Sequence, residues 1–523
     1  MDCQNDANNF ILIMKHKILN IAIFLFSALV LAQPSPQSKK ITEKFFPEYD
    51  QLENITPALQ KKRGFTDYEE LMDYINGYLT KYPEKVTLQM IGESQKGKQI
   101  PMLYITNPND SEKIKVWIQG GLHGNEPAST EALLYLLDKL LTDDTYTYLL
   151  DKIELAMVPM ANIDGYEKQS RYAANGLDLN RDQTKLMAQE SVALKRAFST
   201  FNPEVGMDFH EYRPYRRDFA KLSTFGITSA YDAMFLYSGN LNVPQKIREI
   251  TNELFVENAR NVLDENGYRH HDYVSTTDHY GEIHFNRGSN NARSSATSYA
   301  LNNSISTLFE IRGVGIGRTS FKRRIHTGFI IAISYLKTAY NNIDNVKSAI
   351  EDATSNSEKA IVTSKKTVYE DELSAVDLDT RELMDINVTF RDAWKMQPKL
   401  VRERPVAYYI DVSKKELIEK LKILGVKTEI LKEPEEIQVQ TYTISNYDRD
   451  EMKYEKMNLQ TVKTKLKTET IVFPKGTFKV PMGQRNSNLI IEVLEPEAPN
   501  SFVSFGVLET KKGEQLPIYR QLN

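Results

Sequence analysis

The chain has 523 residues, enough for two or three domains with sizeable cores. Charged residues make up 26% and the formal net charge is -4, so nothing in the balance points to nucleic acid or an anionic membrane as a partner. The lone cysteine, Cys3, excludes a disulfide framework and a cysteine-held zinc site, so any zinc would have to sit on histidines and carboxylates.

The first 33 residues read as a signal peptide, with Met14 as an alternative start. Lys15-His16-Lys17 is basic, Ile18 to Leu31 is apolar apart from Asn20 and Ser27, and Ala32-Gln33-Pro34-Ser35 turns polar. An uncleaved anchor is the competing reading. No later segment has the length of a membrane span. Residues 34–60 are polar and predict a mobile leader. A capping-box pattern at Thr66-Asp67-Tyr68-Glu69 then opens an amphipathic helix carrying Tyr68, Leu71, Met72, Ile75, Tyr78 and Leu79. Val86 to Ile91 and Ile100 to Ile105 read as a hairpin around Lys96-Gly97-Lys98. A strand over Val116–Gly120, a helix over 128–141, a strand over Ile153–Pro159, a helix near 182–199 and a strand over Val205–Phe209 follow. Residues 211–305 lack a clean period and predict helices and loops walling a cleft. A strand over Ser306–Ile311 and a helix near 326–342 close the unit. Alternating apolar strands and helices predict an α/β fold, a mixed and mostly parallel sheet flanked by helices, over residues 61–345.

Residues 346–400, rich in Lys, Glu, Asp, Ser and Thr, predict a helical linker. Residues 401–523 predict a smaller β-rich α+β domain. Its expected strands are Val406–Ile410, Ile437–Ile444, Glu469–Phe473, Thr477–Val480, Leu489–Val493 and Phe502–Phe505, and its expected helix runs from Ser413 to Leu424, ended by Gly425. This region contains no histidine and no ligand-spaced cluster, so it is expected to supply no catalytic group.

Chemistry concentrates at a few strand ends. His123-Gly124-Asn125-Glu126 follows the apolar run ending at Leu122, and a His and a Glu three residues apart at a strand exit can turn toward one metal ion. His210 ends another apolar strand, where open α/β sheets place their ligands. By itself such a histidine is an ordinary hydrogen-bonded side chain; beside His123 and Glu126 it completes two His and one Glu with a fourth position left for water, the ligand set of catalytic rather than structural zinc. Asp178-Leu179-Asn180-Arg181 reads either as a helix start with an Asp or Asn cap or as a binding segment. In the second reading the Arg181 fork and the Asn180 amide grip a carboxylate, and Asp178 accepts the free ring N–H of a zinc-bound histidine. Arg171 could face a developing oxyanion. Glu310 closes the apolar stretch Ser306-Thr307-Leu308-Phe309, either as a structural partner of Arg312 or as a carboxylate that takes a proton from activated water.

Taken in order, these segments resemble the zinc metallocarboxypeptidases, the carboxypeptidase A-like enzymes. Gly121-Leu122-His123-Gly124-Asn125-Glu126 resembles the first zinc motif of that family. Asn162-Ile163-Asp164-Gly165-Tyr166, Arg171 and Asn175-Gly176-Leu177-Asp178-Leu179-Asn180-Arg181 resemble its substrate-binding segment. Asp208-Phe209-His210 resembles its third-ligand segment, and Leu308-Phe309-Glu310 its general-base strand. The resemblance covers roughly residues 65–340. It implies one zinc ion on His123, Glu126 and His210, Asp178 behind His123, Asn180 and Arg181 on the substrate's terminal carboxylate, Arg171 on the scissile carbonyl, and Glu310 as base and acid. It also implies a mobile substrate-binding Tyr about two dozen residues before Glu310. Gly288 and Ser289 stand there instead, leaving Tyr299 and Tyr280 as candidates, with Tyr299 assigned to substrate binding. The Gly- and Arg-rich tail after Glu310, Ile311 to Arg318, is closer to bacterial branches than to digestive enzymes.

The expected activity is an exported zinc carboxypeptidase acting on peptides with a free C-terminal carboxylate. A zinc deacylase of N-acyl amino acids and a zinc-bearing peptide-binding protein without turnover are the alternatives.

Overall fold

The computed structural model describes residues 38–355 and 358–522. The predicted signal peptide and Cys3 lie outside the described residues. The strands of the first part of the chain are β1 (Val86–Glu93), β2 (Gln99–Ile105), β3 (Ile114–Gly120), β4 (Ile153–Val158), β5 (Val205–Tyr212), β6 (Ile227–Ser229), β7 (Ala233–Tyr237), β8 (His270–Asp272), β9 (Val274–His279), β10 (Glu282–Arg287) and β11 (Ile305–Arg312). Eight of them form one sheet in the order β1-β2-β4-β3-β5-β11-β7-β8. Its centre, β4-β3-β5-β11, is parallel. Antiparallel pairs flank it at β1-β2, β2-β4 and β11-β7, and β7-β8 is parallel.

The central strands are apolar on both faces because helices cover both. On β3, Trp117 and Gln119 point to one side, where Trp117 meets Phe198 of the helix Gln189–Phe201 edge-on. Gly120 lies against Ser129 and Leu133 of the helix Pro127–Thr142 on the other side. A side chain at position 120 would collide with the Ser129 carbonyl, so glycine sets how closely that helix approaches. The helix Phe321–Asn341 packs beside it.

Several expectations need correction. The helix Lys39–Phe45 and the short turn Pro57–Gln60 give residues 38–60 regular structure, and Ile41, Phe45, Phe46, Leu52, Ala58 and Leu59 are buried, so this stretch is part of the folded body rather than a mobile leader. Residues 211–305 include β6 to β10 as well as helices. The predicted helical linker over 346–400 is helical only through Thr354; beyond it run two long strands, β12 (Ala360–Asp377) and β13 (Leu383–Arg402). They pair antiparallel with each other and build a second sheet, β6-β12-β13-β10-β9, onto the catalytic body. Lys365, Glu370, Asp371, Glu372, Asp385, Lys395 and Lys399 are exposed while Asp377, Asp392 and Arg402 are buried, a mixture that composition alone does not distinguish from a polar helix.

The C-terminal region adds β14 (Ala407–Ile410), β15 (Glu429–Ile430), β16 (Glu435–Arg449), β17 (Gln460–Phe473), β18 (Phe478–Pro481) and β19 (Gln515–Gln521), in a sheet ordered β15-β18-β14-β19-β16-β17. Leu489–Val493 is not a strand; it lies within the buried helix Ser487–Leu494, a segment too short for periodicity to separate the two. Phe502–Phe505 is a buried turn. No helix among the described residues is long and apolar enough to cross a membrane.

Candidate active site

Parallel strands end on one edge of the sheet, and β3, β5 and β11 deliver the site there. After Gly120 the chain turns at Gly121, whose φ of 64° favours glycine. His123 and Glu126 follow before Pro127 starts the next helix. Gly124 makes this loop fit: a Cβ there would lie 2.0 Å from the Gly165 carbonyl carbon. On the neighbouring strands Glu310 and His210 stand in direct register.

His123, Glu126 and His210 converge, with their ligand atoms all within 4.8 Å of one another. His123 Nδ1 lies 2.8 Å from Glu126 Oε1, His210 Nδ1 lies 2.8 Å from Glu126 Oε2, and the two Nδ1 atoms are 2.9 Å apart. Both far nitrogens face carboxylates: His123 Nε2 donates to Asp178 Oδ1 at 3.0 Å, and His210 Nε2 donates to Asp208 Oδ2 at 2.9 Å. Those bonds place the ring protons on Nε2 and leave two bare Nδ1 lone pairs aimed at each other and at a carboxylate. Such a cage calls for a cation at its centre, and two imidazoles with one carboxylate suit zinc. The surrounding carboxylates favour positive charge in the cage, whether a ring proton or a cation. Burial opposes charge on His210, yet Asp208 and Glu126 hold its pKa well above the ordinary value. Burial also opposes ionisation of Glu126 and Asp178, but His123 and His210 hold the first low, and His123 and Arg171 the second.

The Glu310 carboxylate makes no hydrogen bond or ion pair with another described residue, and it lines the cleft beside His123. Burial first, and the nearby Glu126 second, raise its carboxyl to about 7. Arg171 donates from Nε to Asp178 Oδ2 at 3.0 Å, while its Nη1 comes within 3.7 Å of Glu126. Asn180 is fixed by accepting the Ser295 N–H at 2.9 Å. Arg181 donates to the Asn180 carbonyl, and no carboxylate among the described residues pairs with it. All of these line a cleft of about 450 Å³.

Tyr299 does not join them. It is fully buried on the far side of β3, stacked on Phe198 at 3.8 Å, and its hydroxyl donates to Gln119. The substrate-binding assignment therefore does not fit its position. Tyr280 is 96% exposed at the β9-β10 turn. Two tyrosines line the cleft: Tyr212, whose hydroxyl donates to the Tyr231 carbonyl, and Tyr273, held by backbone bonds to Phe235 and Gly288. Burial and Glu310 raise the pKa of Tyr273. The sequence reading missed it because β8 to β10 were not recognised. Asp208 was also missed as the partner of His210. Its signal was available, since residues two apart on a strand share a face. The C-terminal region approaches the rim through the β16-β17 turn, where Glu455 accepts the Asp178 N–H at 2.8 Å.

Comparison with known proteins decides the family. Residues 71–342 match the zinc carboxypeptidase family, peptidase M14. The chain belongs to the zinc carboxypeptidases. It is a peptide-bond hydrolase. Carboxypeptidase 2 of Trichophyton rubrum is 31% identical over 441 residues, 82% of this chain and 81% of that protein. Carboxypeptidase 2 of Trichophyton equinum is 30% identical over 440 residues, again 82% and 81%. Matches of this extent are longer than residues 71–342 and so take in sequence outside them. Among solved structures, carboxypeptidase A of Helicoverpa armigera is similar at 18% identity, covering 55% of this chain and 79% of that one, with a TM-score of 0.40.

Proposed function

We propose that this carboxypeptidase hydrolyses the last peptide bond of peptides with a free C-terminal carboxylate, using one zinc ion on His123, Glu126 and His210. The observation that carries the reading is the pair of histidines whose Nε2 atoms are tied to Asp178 and Asp208 while their Nδ1 atoms meet Glu126. When bound there, zinc would polarise the scissile carbonyl and acidify water. The protein's own groups divide the remaining work. Asp178 and Asp208 hold the imidazoles in one tautomer. Glu310, without a partner among the described residues, is free to take a proton from water and return it to the leaving amine. Arg171 keeps an Nη1 toward the cage, suited to the charge that develops on the carbonyl oxygen. Arg181, with a guanidinium that no described carboxylate claims, and Asn180 receive the terminal carboxylate. The basic, apolar and polar run at residues 15–35 supports export.

The test is product identification by mass spectrometry on peptides with free and amidated C-termini, with N-acyl amino acids alongside. Release of single residues from free termini, with amidated peptides poor, is expected. Equal cleavage of amidated and free peptides would remove the carboxylate grip, and turnover of N-acyl amino acids alone would make the chain a deacylase.

A further inference from the structure

The cleft carries more positive charge than the proposed reaction uses. Arg171, Arg181, Arg213, Arg216, Arg293 and Lys366 line it. Of the lining carboxylates, Glu211 is committed to Arg324, which leaves Glu310. Arg171 is paired with Asp178, and Arg181 is assigned above to the substrate's α-carboxylate.

Arg293 and Lys366 are the informative pair. Arg293 stands just before Ser294 and Ser295, the turn that fixes Asn180. Its guanidinium lies over the Tyr454 ring at 4.9 Å and has no carboxylate partner among the described residues. Lys366 comes from β12, the strand that adds the second sheet to the catalytic body. Its ammonium donates to Asn286 Oδ1 at 2.9 Å and likewise has no carboxylate partner among the described residues. The acidic groups nearest them are engaged elsewhere, Asp178 with His123 and Arg171. Asp392 accepts from Tyr369 and the Trp394 N–H, and Glu455 from the Asp178 N–H. Burial lowers the pKa of both cations; Arg181 adds to this at Arg293 against the opposing pull of Tyr454, Asp178 and Glu455, and Arg391 and Arg293 add to it at Lys366 against Asp392. Arg181, Arg293 and Lys366 thus line one cleft together, each without an ion-pair partner among the described residues.

Half-buried cations without counterions are costly unless an anion arrives to pair with them. An apolar C-terminal side chain would desolvate them further with no compensation, and a basic one would meet repulsion. A side-chain carboxylate satisfies both, since a guanidinium and an ammonium can bind its two oxygens together. We propose that this cleft selects an acidic residue, Glu or Asp, at the C-terminus of its substrate, with Arg293 and Lys366 reading the side-chain carboxylate while Arg181 holds the α-carboxylate. The proposal rests on the carboxypeptidase reading given above.

The experiment compares N-acylated peptides that differ only in their last residue, Glu, Gln, Leu or Lys, with the zinc-loaded full-length protein. The Glu peptide is expected to exceed the Gln and Leu peptides by about 10-fold to 100-fold in kcat/KM, the range for one charged hydrogen-bonded contact. Lys366→Met should lower the Glu value by about 10-fold or more and leave the Leu value within about 2-fold. The Glu and Gln pair tests the idea on the native protein, so it does not depend on how the variant folds. Calorimetric binding of the same peptides to Glu310→Gln gives a second readout without turnover and should show the same order. Gln or Leu peptides cleaved as fast as Glu would overturn the proposal, as would a Lys366→Met variant that lowers Glu and Leu alike. If no peptide is cleaved but Glu310→Gln binds the Glu peptide selectively, the acidic selection stands and the hydrolase reading falls.

Discussion

The catalytic body and the β-rich additions use strands in different ways. In the body, β3, β5 and β11 are buried on both faces, run parallel, and finish at a common edge, so His210 and Glu310 near the ends of β5 and β11 meet His123 and Glu126 just past β3. Their side chains along the strand contribute packing, and their exits contribute chemistry. In β12, β13, β16 and β17 the strands are long, antiparallel and half exposed. Their function lies along their length and at their turns, where Lys366 enters the cleft and Glu455 reaches the Asp178 backbone. In the proposed mechanism one region supplies the metal-binding and proton-transfer groups, and the other lines the rim with Lys366 and Glu455.

Substitutions in the first region should produce the largest effects. His210→Ala leaves two ligands where a catalytic site needs three, so elemental analysis should find little zinc and activity should fall beyond the loss of any other single change. Full zinc occupancy in that variant would take His210 out of the cage. Glu310→Gln should retain zinc and lose about 100-fold to 10,000-fold in kcat, because the amide has the same size but cannot accept the proton. Near-native turnover would make Glu310 a structural residue and dissolve the division between strand and exit on β11.

The same contrast explains what the sequence disclosed. An apolar run that stops at His, Glu or Asp is visible without knowing the fold, and that signal singles out His123, Glu126, His210 and Glu310 as candidates, which the structure brings together at one edge of the sheet. Asp178, Asn180 and Arg181 were legible as a spaced polar segment after a glycine loop. The additions gave no such contrast. On β12 a run such as Thr363 to Glu372 alternates charged and half-buried positions weakly, and its meaning depends on β13 lying alongside. Tyr273 was hidden for the same reason, since it belongs to the link between β8 and β9, strands that are only partly buried. Tyr299 was misplaced because spacing from Glu310 does not reveal that the intervening helix Ser295–Ala300 turns it into the core, against Phe198. Ile41 and Phe45, four apart, did carry a helical signal within a stretch whose average composition is polar.

Glu455 tests whether the β-rich region acts on the site at all. Glu455→Ala removes the acceptor from the Asp178 N–H, and Asp178 in turn holds His123 and Arg171. The loss of one such bond, about 1 kcal/mol, predicts a kcat/KM reduced by roughly 5-fold with zinc content unchanged. An unchanged rate would confine this turn to covering the rim. Loss of zinc would make the C-terminal region part of the metal site and erase the contrast between the two regions.

The smallest effect concerns how the two regions hold together. Glu492, on the buried helix Ser487–Leu494, accepts from Asn240 and Asn242 of the catalytic body at 2.7 and 3.0 Å. Burial raises its carboxyl from 4.5 to about 7 against the pull of those two amides. A raised acid keeps its proton in the folded state after the unfolded chain has released it. Its stabilising contribution is therefore complete below about pH 4.5 and is lost as the pH climbs through about 7. Glu492→Gln keeps an oxygen for both asparagines and never ionises. The variant and the native protein should melt at nearly the same temperature at low pH, with the variant higher by a few degrees once the pH passes the folded pKa. The melting-temperature difference across the pH series is the measurement. A difference that stays flat would mean that Glu492 is ionised or solvated at the joint, and that the C-terminal helix is held against the catalytic body by its apolar face alone.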